Sequence, residues 1–256
     1  LTRIGRHFVI PILNDFKYVR LQRNTADDGM RFYTCPETGA FLPSVTTILG
    51  HTKDKTFLIE WKKRIGEKEA DRIRDEAGKI GTLMHTHLEN HIQGKPRPGG
   101  NNKIRVLAAG LADTIIEKGL CKVSEAWGFE VPLYFPGMYA GTTDLVGIHE
   151  GSPAIMDYKN SRKIKTKEQI EDYFCQCAAY ALAHNYAFGT NVAKVVIFMV
   201  DRERNFKEFV IQGNEFFKYC DIWMKRIDQY AATGGALQFN PGANVNVTWV
   251  EPNTSE

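Results

Sequence analysis

The segment Ile155-Met156-Asp157-Tyr158-Lys159-Asn160 sets a carboxylate and an amine two residues apart within an apolar run. A strand alternates its side chains, so Asp157 and Lys159 point to the same side. Two ionisable groups on one face of a buried strand are costly unless they pair or do work there. The turn His149-Glu150-Gly151-Ser152-Pro153 folds the preceding strand back alongside and brings Asp144 close to the level of Asp157. Strict pairing about Gly151 puts Leu145, not Asp144, opposite Asp157. Asp144 then needs a bulge, or the end of the pairing, to face inward. Two carboxylates held close repel unless a cation lies between them, and a hard divalent ion such as Mg²⁺ or Mn²⁺ meets that need. Lys159 would then orient an attacking water or stabilise charge on a phosphoryl oxygen. A lone Asp-x-Lys is more often a salt-bridged edge strand, so its weight depends on what accompanies it.

Three further groups accompany it. Gly81 and His85 are one helical turn apart, and the missing side chain at 81 would let another element approach His85, an imidazole suited to Mn²⁺ and less so to Mg²⁺. Tyr173, Gln176 and Tyr180 share a helix face, where tyrosine can stack on a base and glutamine can bond phosphate or backbone. Arg162, Lys163, Lys165 and Lys167 follow Lys159 directly and would neutralise phosphate, with Asn160 and Ser161 as direct phosphate contacts. His87 and His91 read as surface residues. Tyr33, Phe57 and Trp61 are candidates for base stacking, though each alone is better read as core.

The elements that must hold these groups follow from periodicity. Tyr18 to Leu21 and Met30 to Tyr33 read as strands around a polar turn at Asn24 to Gly29, after an apolar run from Phe8 to Leu13. Ser44 to Leu49 is a short helix or turn stopping at Gly50. Helical spacing runs from about Asp54 to Gln93, with one stripe at Phe57, Leu58, Trp61 and Ile65 and another at Ile73, Ala77, Ile80, Met84 and Leu88; Gly66 or Gly78 is expected to break it. Gly94 to Asn102 is a loop, expected to be mobile, and Ile104 to Ile115 marks a helix ending at Gly119. Strands are expected at Trp127 to Phe135, Tyr139 to Ile148 and Ala154 to Lys159, a helix at Lys167 to Phe188, then a central strand at Val192 to Asp201 with a hairpin partner at Phe206 to Ile211. Phe216, Cys220, Trp223, Ile227 and Tyr230 space a last helix, and the chain beyond Gly234 reads as irregular. Helices flanking a strand-rich centre imply a mixed sheet with helices on its faces.

Composition sets the bounds. The 256 residues are 43% hydrophobic and 25% charged, which excludes general disorder and fits one elaborated domain. We divide it into an N-terminal extension over 1–50, a helical region over 51–120 carrying His85, a sheet-and-helix core over 121–233 and a tail over 234–256. A net charge of +3 neither demands nor forbids a nucleic-acid partner. No run approaches the roughly 18 apolar residues of a membrane span. Arg3, Arg6 and His7 interrupt the early apolar stretch, so no secretory leader is expected there, while Leu1 in place of Met leaves open a trimmed N-terminus or a removed targeting segment. Five cysteines without framework spacing suggest free thiols in a reducing compartment.

These pieces, in this order, resemble the RecB-type branch of the PD-(D/E)xK nuclease superfamily, and more closely the mitochondrial genome maintenance exonuclease and its phage and bacterial relatives. The similarity runs from about Tyr33 to Asp201, through Leu42 to Leu49, Gly81 to Glu89, Gly141-Thr142-Thr143-Asp144, Asp157-Tyr158-Lys159 and Gln176 to Tyr180. It implies an α/β, restriction-endonuclease-like core with a helical N-terminal elaboration. It implies metal-binding roles for His85, Asp144, Asp157 and the Tyr158 carbonyl, an acidic role for Glu130 on the strand before the core, and Lys159 as the catalytic lysine. Gln176 and Tyr180 match a Gln-x-x-x-Tyr signature that binds DNA and steadies the site. The implied activity is metal-dependent hydrolysis of single-stranded DNA ends to 5′-phosphate products, in replication, repair or recombination. Some relatives hold a four-cysteine iron–sulfur cluster; the cysteine positions here lead us to expect none. The implied protein is monomeric, without a membrane partner, and possible company for replication or recombination proteins. The expected setting is a bacterial or phage-infected cytoplasm, with the mitochondrial matrix second. The alternative is a non-catalytic module that binds single-stranded DNA.

Overall fold

A computed structural model describes residues 10–13, 15–27 and 29–234. The start of the Phe8 to Leu13 run and the tail beyond Gly234 lie outside the described residues. Two sheets form. The smaller is an antiparallel meander of β1 (Arg23–Thr25), β2 (Arg31–Thr34) and β3 (Phe41–Pro43). The larger has five strands in the order β4 (Val123–Phe135), β5 (Tyr139–His149), β6 (Ser152–Ser161), β7 (Lys194–Asp201) and β8 (Phe206–Gln212). Its β6–β7 pair is parallel and the others are antiparallel, so the sheet is mixed.

Among the described residues six α-helices complete the fold: α1 (Val45–Thr52), α2 (Thr56–Ile65), α3 (Glu67–Ile92), α4 (Lys103–Lys118), α5 (Glu171–Phe188) and α6 (Asn214–Ala232). Alternation in the strands sorts the core into two layers. Leu145, Met156, Tyr158, Val196, Phe198 and Val200 pack with Ile80, Met84 and Leu88 of α3 and Leu111 and Ile115 of α4. Val146, Ile155, Val195, Ile197 and Met199 face α1, α5 and α6 on the opposite side. The helices joining β6 to β7 and following β8 thus cover one face, and α3 with α4 the other. No helix among the described residues is long and apolar enough to cross a membrane.

Several expectations need correction. The first strand lies at Arg23–Thr25, not Tyr18 to Leu21, because β2 draws its partner from the residues nearest the turn. Tyr18 packs instead against His184 and Phe188. Helix α1 runs through Gly50 to Thr52, started by Ser44, whose side chain accepts from the Thr47 amide. Gly66, at φ 87°, is the break between α2 and α3, whereas Gly78 stays helical. Helix α2 buries no residue, and Phe57 is 77% exposed, so its apolar stripe is not core. His87 is buried, not on the surface, and its Nδ1 accepts from Arg97 Nε at 3.1 Å. In the 94–102 loop Arg97 also binds Asp113 at 2.6 Å and the Ala109 carbonyl at 3.2 Å.

His184 gives the fold a pH dependence. Its ring is fully buried between Tyr18 Oη (3.0 Å) and Thr190 Oγ1 (2.7 Å), amid the rings of Phe16, Trp127 and Phe188. Burial pushes its imidazole down to about 4. Between that value and the unfolded one near 6.5, the unfolded chain holds more protons. The stabilisation is complete above about pH 6.5 and is lost as pH falls toward 4, amounting to about 3 kcal/mol at most. Urea unfolding from pH 8 to pH 4 should show that decline, and His184→Phe should flatten it.

Candidate active site

The site forms where β5 and β6 part. The hairpin turn Glu150-Gly151 has both residues at positive φ (46° and 78°) and pairs His149 with Ser152. The register then runs to Leu145 opposite Met156, and there pairing stops. This is one residue off the strict pairing inferred from Gly151. Asp144 therefore falls at the level of Asp157, without a bulge between these two strands. Beyond that point both backbone groups of Tyr158 face a gap. Its amide donates to Asp144 Oδ2 at 2.8 Å, and its carbonyl lies 3.0 Å from His85 Nε2. The carbonyl expected as a metal ligand is thus held by the imidazole. His85 Nδ1 turns to Asp144 Oδ1 at 3.4 Å.

A third strand adds Glu130. Phe129 pairs with Leu145 and Val131 with Thr143, so Glu130 sits level with Asp144. Three carboxylates from β4, β5 and β6 therefore stand in a row. Register shifts between Ala126 and Gly128 precede Glu130, whose φ is 47°, a left-handed conformation that costs a non-glycine residue about 1 kcal/mol or more. Such strain at a cleft is consistent with a working residue. Gly81, one turn before His85, lies against Asn160, whose Nδ2 would stand 3.0 Å from an added Cβ. Gly141 plays the same part under Tyr180, whose hydroxyl would sit 2.7 Å from an added Cβ.

Asp157 is 2% exposed and pairs with Lys159 at 2.5 Å, while the ammonium also lies 4.8 Å from the centre of the Tyr173 ring. Burial, reinforced by Asp144 and offset by Lys159, pushes the Asp157 carboxyl up to about 6. Burial alone would lower Lys159, but Asp157 and Asp144 outweigh it and keep the amine protonated. Burial and the Asp144 charge push Glu130 up to about 7. Asp144 moves down despite burial, because the His85 cation and the Tyr158 amide favour its ionised form. His85 is opposed by burial, yet Asp144 holds its pKa up to about 9.

Ligand atoms of His85, Glu130 and Asp144 all lie within 4.8 Å of one another. One imidazole and two carboxylates make a donor set for Mg²⁺, Mn²⁺ or a similar ion. The residues fit a divalent ion. His85 Nδ1 would be the ligating nitrogen, since Nε2 faces a carbonyl, so metal and proton compete for one atom. Metal affinity should then climb by up to about tenfold per pH unit from pH 7 to about 9. Calorimetric Mn²⁺ titrations at three pH values would check this. A second group, His149, Glu150 and Glu208, has its acids bound by Lys122, which already supplies a cation. Neither group contains a cysteine, and all five cysteines are free thiols.

A cleft of about 640 Å³ opens over the cluster. Gln176 and Tyr180 line it beside His85, Glu130 and Asp144, and Gln176 Nε2 lies 3.3 Å from the Tyr180 hydroxyl. Tyr33 also lines it, whereas Phe57 and Trp61 do not. The post-lysine basic run is not brought there. Arg162 and Lys163 are exposed outside it, Lys165 binds the Tyr173 hydroxyl at 3.2 Å, Lys167 pairs with Glu215, and Ser161 bonds its own loop at Lys163 O. The cations that do line the cleft are Arg23 and Arg31 of the small sheet, with Glu89 as a further acid. Sequence reasoning missed them because the contact depends on tertiary docking, through a parallel bridge between Ser44 and Ala140. The only local signal is that Arg31 and Tyr33 fall on one face of a strand.

No protein-family model and no curated protein matches the chain. Among solved structures it is similar to a candidate exonuclease from Eubacterium rectale, at 13% identity over 63% of this chain and 69% of that one, with a TM-score of 0.46. It is also similar to the protein SSO0001, at 12% identity over 77% and 78% of the two chains, with a TM-score of 0.39. Function is therefore read from the site itself.

Proposed function

We propose that the chain is a metal-dependent deoxyribonuclease of the PD-(D/E)xK type, an exonuclease hydrolysing phosphodiester bonds at single-stranded DNA ends during replication, repair or recombination. The observation that supports this most is the meeting of Glu130, Asp144 and Asp157 from three adjacent strands with His85 and a charged Lys159. A bound divalent ion would supply Lewis-acid polarisation of a phosphoryl oxygen and a more acidic water. His85, Glu130 and Asp144 would hold it, with Asp157 at its edge. Lys159, fixed by Asp157 and Tyr173, donates to the attacking water or to the phosphoryl oxygen that gains charge. Gln176 and Tyr180 hold the phosphate against the strands, while Arg23 and Arg31 neutralise neighbouring phosphates.

The test compares end-labelled linear single strands with circles in Mg²⁺ or Mn²⁺, for the wild type and the Asp157→Ala/Lys159→Ala double variant. Cleavage of the linear strand only, to 5′-phosphate products and absent in the variant, is expected. Equal cleavage by the variant rejects the site, and cleavage of circles makes the enzyme an endonuclease.

A further inference from the structure

A second groove, of about 1020 Å³, lies on the other flank of α3, between it and the start of α4. Its walls carry four cations and one acid: Arg74, Lys79, Lys103 and Arg105 against Asp75. Arg74 is spent on Asp71 (2.9 Å) and Asp75 (3.4 Å). Lys79 and Lys103 are exposed and join none of the ion pairs among the described residues. Arg105 is steadied by the Gly99 carbonyl at 2.7 Å, a neutral partner that leaves its charge uncancelled. The N-terminal end of the 16-residue α4 adds the positive end of its dipole. Leu83 and Ile104 add apolar side chains to the lining.

Thr82 lines both this groove and the cleft above His85. A chain of phosphates lying in the cleft thus has a positively charged continuation directly across α3. We propose that the groove between α3 and α4 binds the intact stretch of a single nucleic-acid strand flanking the bond held in the cleft. The inference rests on the nuclease reading for its occupant. Phosphates meet Lys79, Lys103 and Arg105 while bases lie on Leu83 and Ile104, the division of labour of a strand-tracking channel. Affinity then grows with strand length until the groove is filled.

The experiment uses the full chain and fluorescein-labelled oligothymidylates of about 30 and about 4 nucleotides, followed by anisotropy in EDTA across a salt series. The test variant is Lys79→Glu/Lys103→Glu; glutamate at the start of α4 suits the helix dipole, so folding is retained. A Lys218→Glu/Lys225→Glu variant on α6, on the opposite face of the sheet, makes the same charge change elsewhere. We expect the groove variant to lose about tenfold or more in affinity for the long strand, with a log–log salt slope shallower by about 1.4, while the α6 variant binds as the wild type does. Wild-type affinity and slope in the groove variant, or equal losses in both variants, would overturn the proposal. If the wild type cleaves no strand in any metal but the groove variant alone loses long-strand binding, the nuclease reading falls and the groove stands. If the wild type cleaves and the groove variant binds normally, the reverse holds.

Discussion

Asp144→Asn should reduce cleavage of single-stranded DNA by about 10³-fold or more while leaving the fold intact. The substitution keeps the shape and an oxygen that can accept from the Tyr158 amide, so the splayed end of β5 and β6 retains its bond. What disappears is the charge on which the cluster turns. Asp144 is the member that faces both His85 Nδ1 and, by register, Glu130. Without it, His85 loses the carboxylate that offsets its burial, and two donors remain where three stood. The loss should appear in kcat at saturating metal as well as in metal affinity, because charge stabilisation at the phosphoryl group goes with it. Cleavage within tenfold of wild type would contradict the assignment.

The second large effect concerns stability. Lys159→Met removes an ammonium and keeps most of the stem, leaving Asp157 buried without its partner. Breaking a buried pair in this way costs about 3 kcal/mol or more. The sign with pH follows from Asp157, whose carboxyl stands above its unfolded value even with Lys159 present. Removing the lysine raises it further. The folded protein then holds the extra proton, so the penalty is absent below about pH 4 and grows as pH rises through 6 and beyond. Thermal unfolding of Lys159→Met should match wild type near pH 4 and fall well below it at pH 8. Adding Asp157→Asn should restore most of the loss at pH 8, since no buried charge is left unpaired. A penalty that grows toward acid would be inconsistent with this account.

Where side-chain spacing alone decides structure, the fold was readable. Phe216, Cys220, Trp223, Ile227 and Tyr230 all lie buried in α6, and the unbroken apolar run of β7 is buried at every position. The Asp157–Lys159 pair shares one side of its strand, as alternation requires, and Asp144 lies level with Asp157. The rest depended on features that spacing does not encode. The Glu150-Gly151 turn shifted the β5–β6 register by one residue, and in doing so aligned Asp144 with Asp157 more directly than strict pairing about Gly151 would. Glu130 enters through a register shift and a left-handed backbone, neither of which leaves a mark in hydrophobic periodicity. Helix α2 has an amphipathic look but no layer to bury it among the described residues. Arg23 and Arg31 reach the cleft only because the small sheet docks on β5, whereas the conspicuous basic run after Lys159 points elsewhere.

The proposed binding of one divalent cation by His85, Glu130 and Asp144 is open to direct reading by Mn²⁺ paramagnetic resonance on EDTA-stripped protein. We predict saturable binding of Mn²⁺ by the wild type, weakened in His85→Ala and Glu130→Gln and weakened most in Asp144→Asn. Failure of the wild type to bind, or binding of equal strength in all three variants, would contradict it.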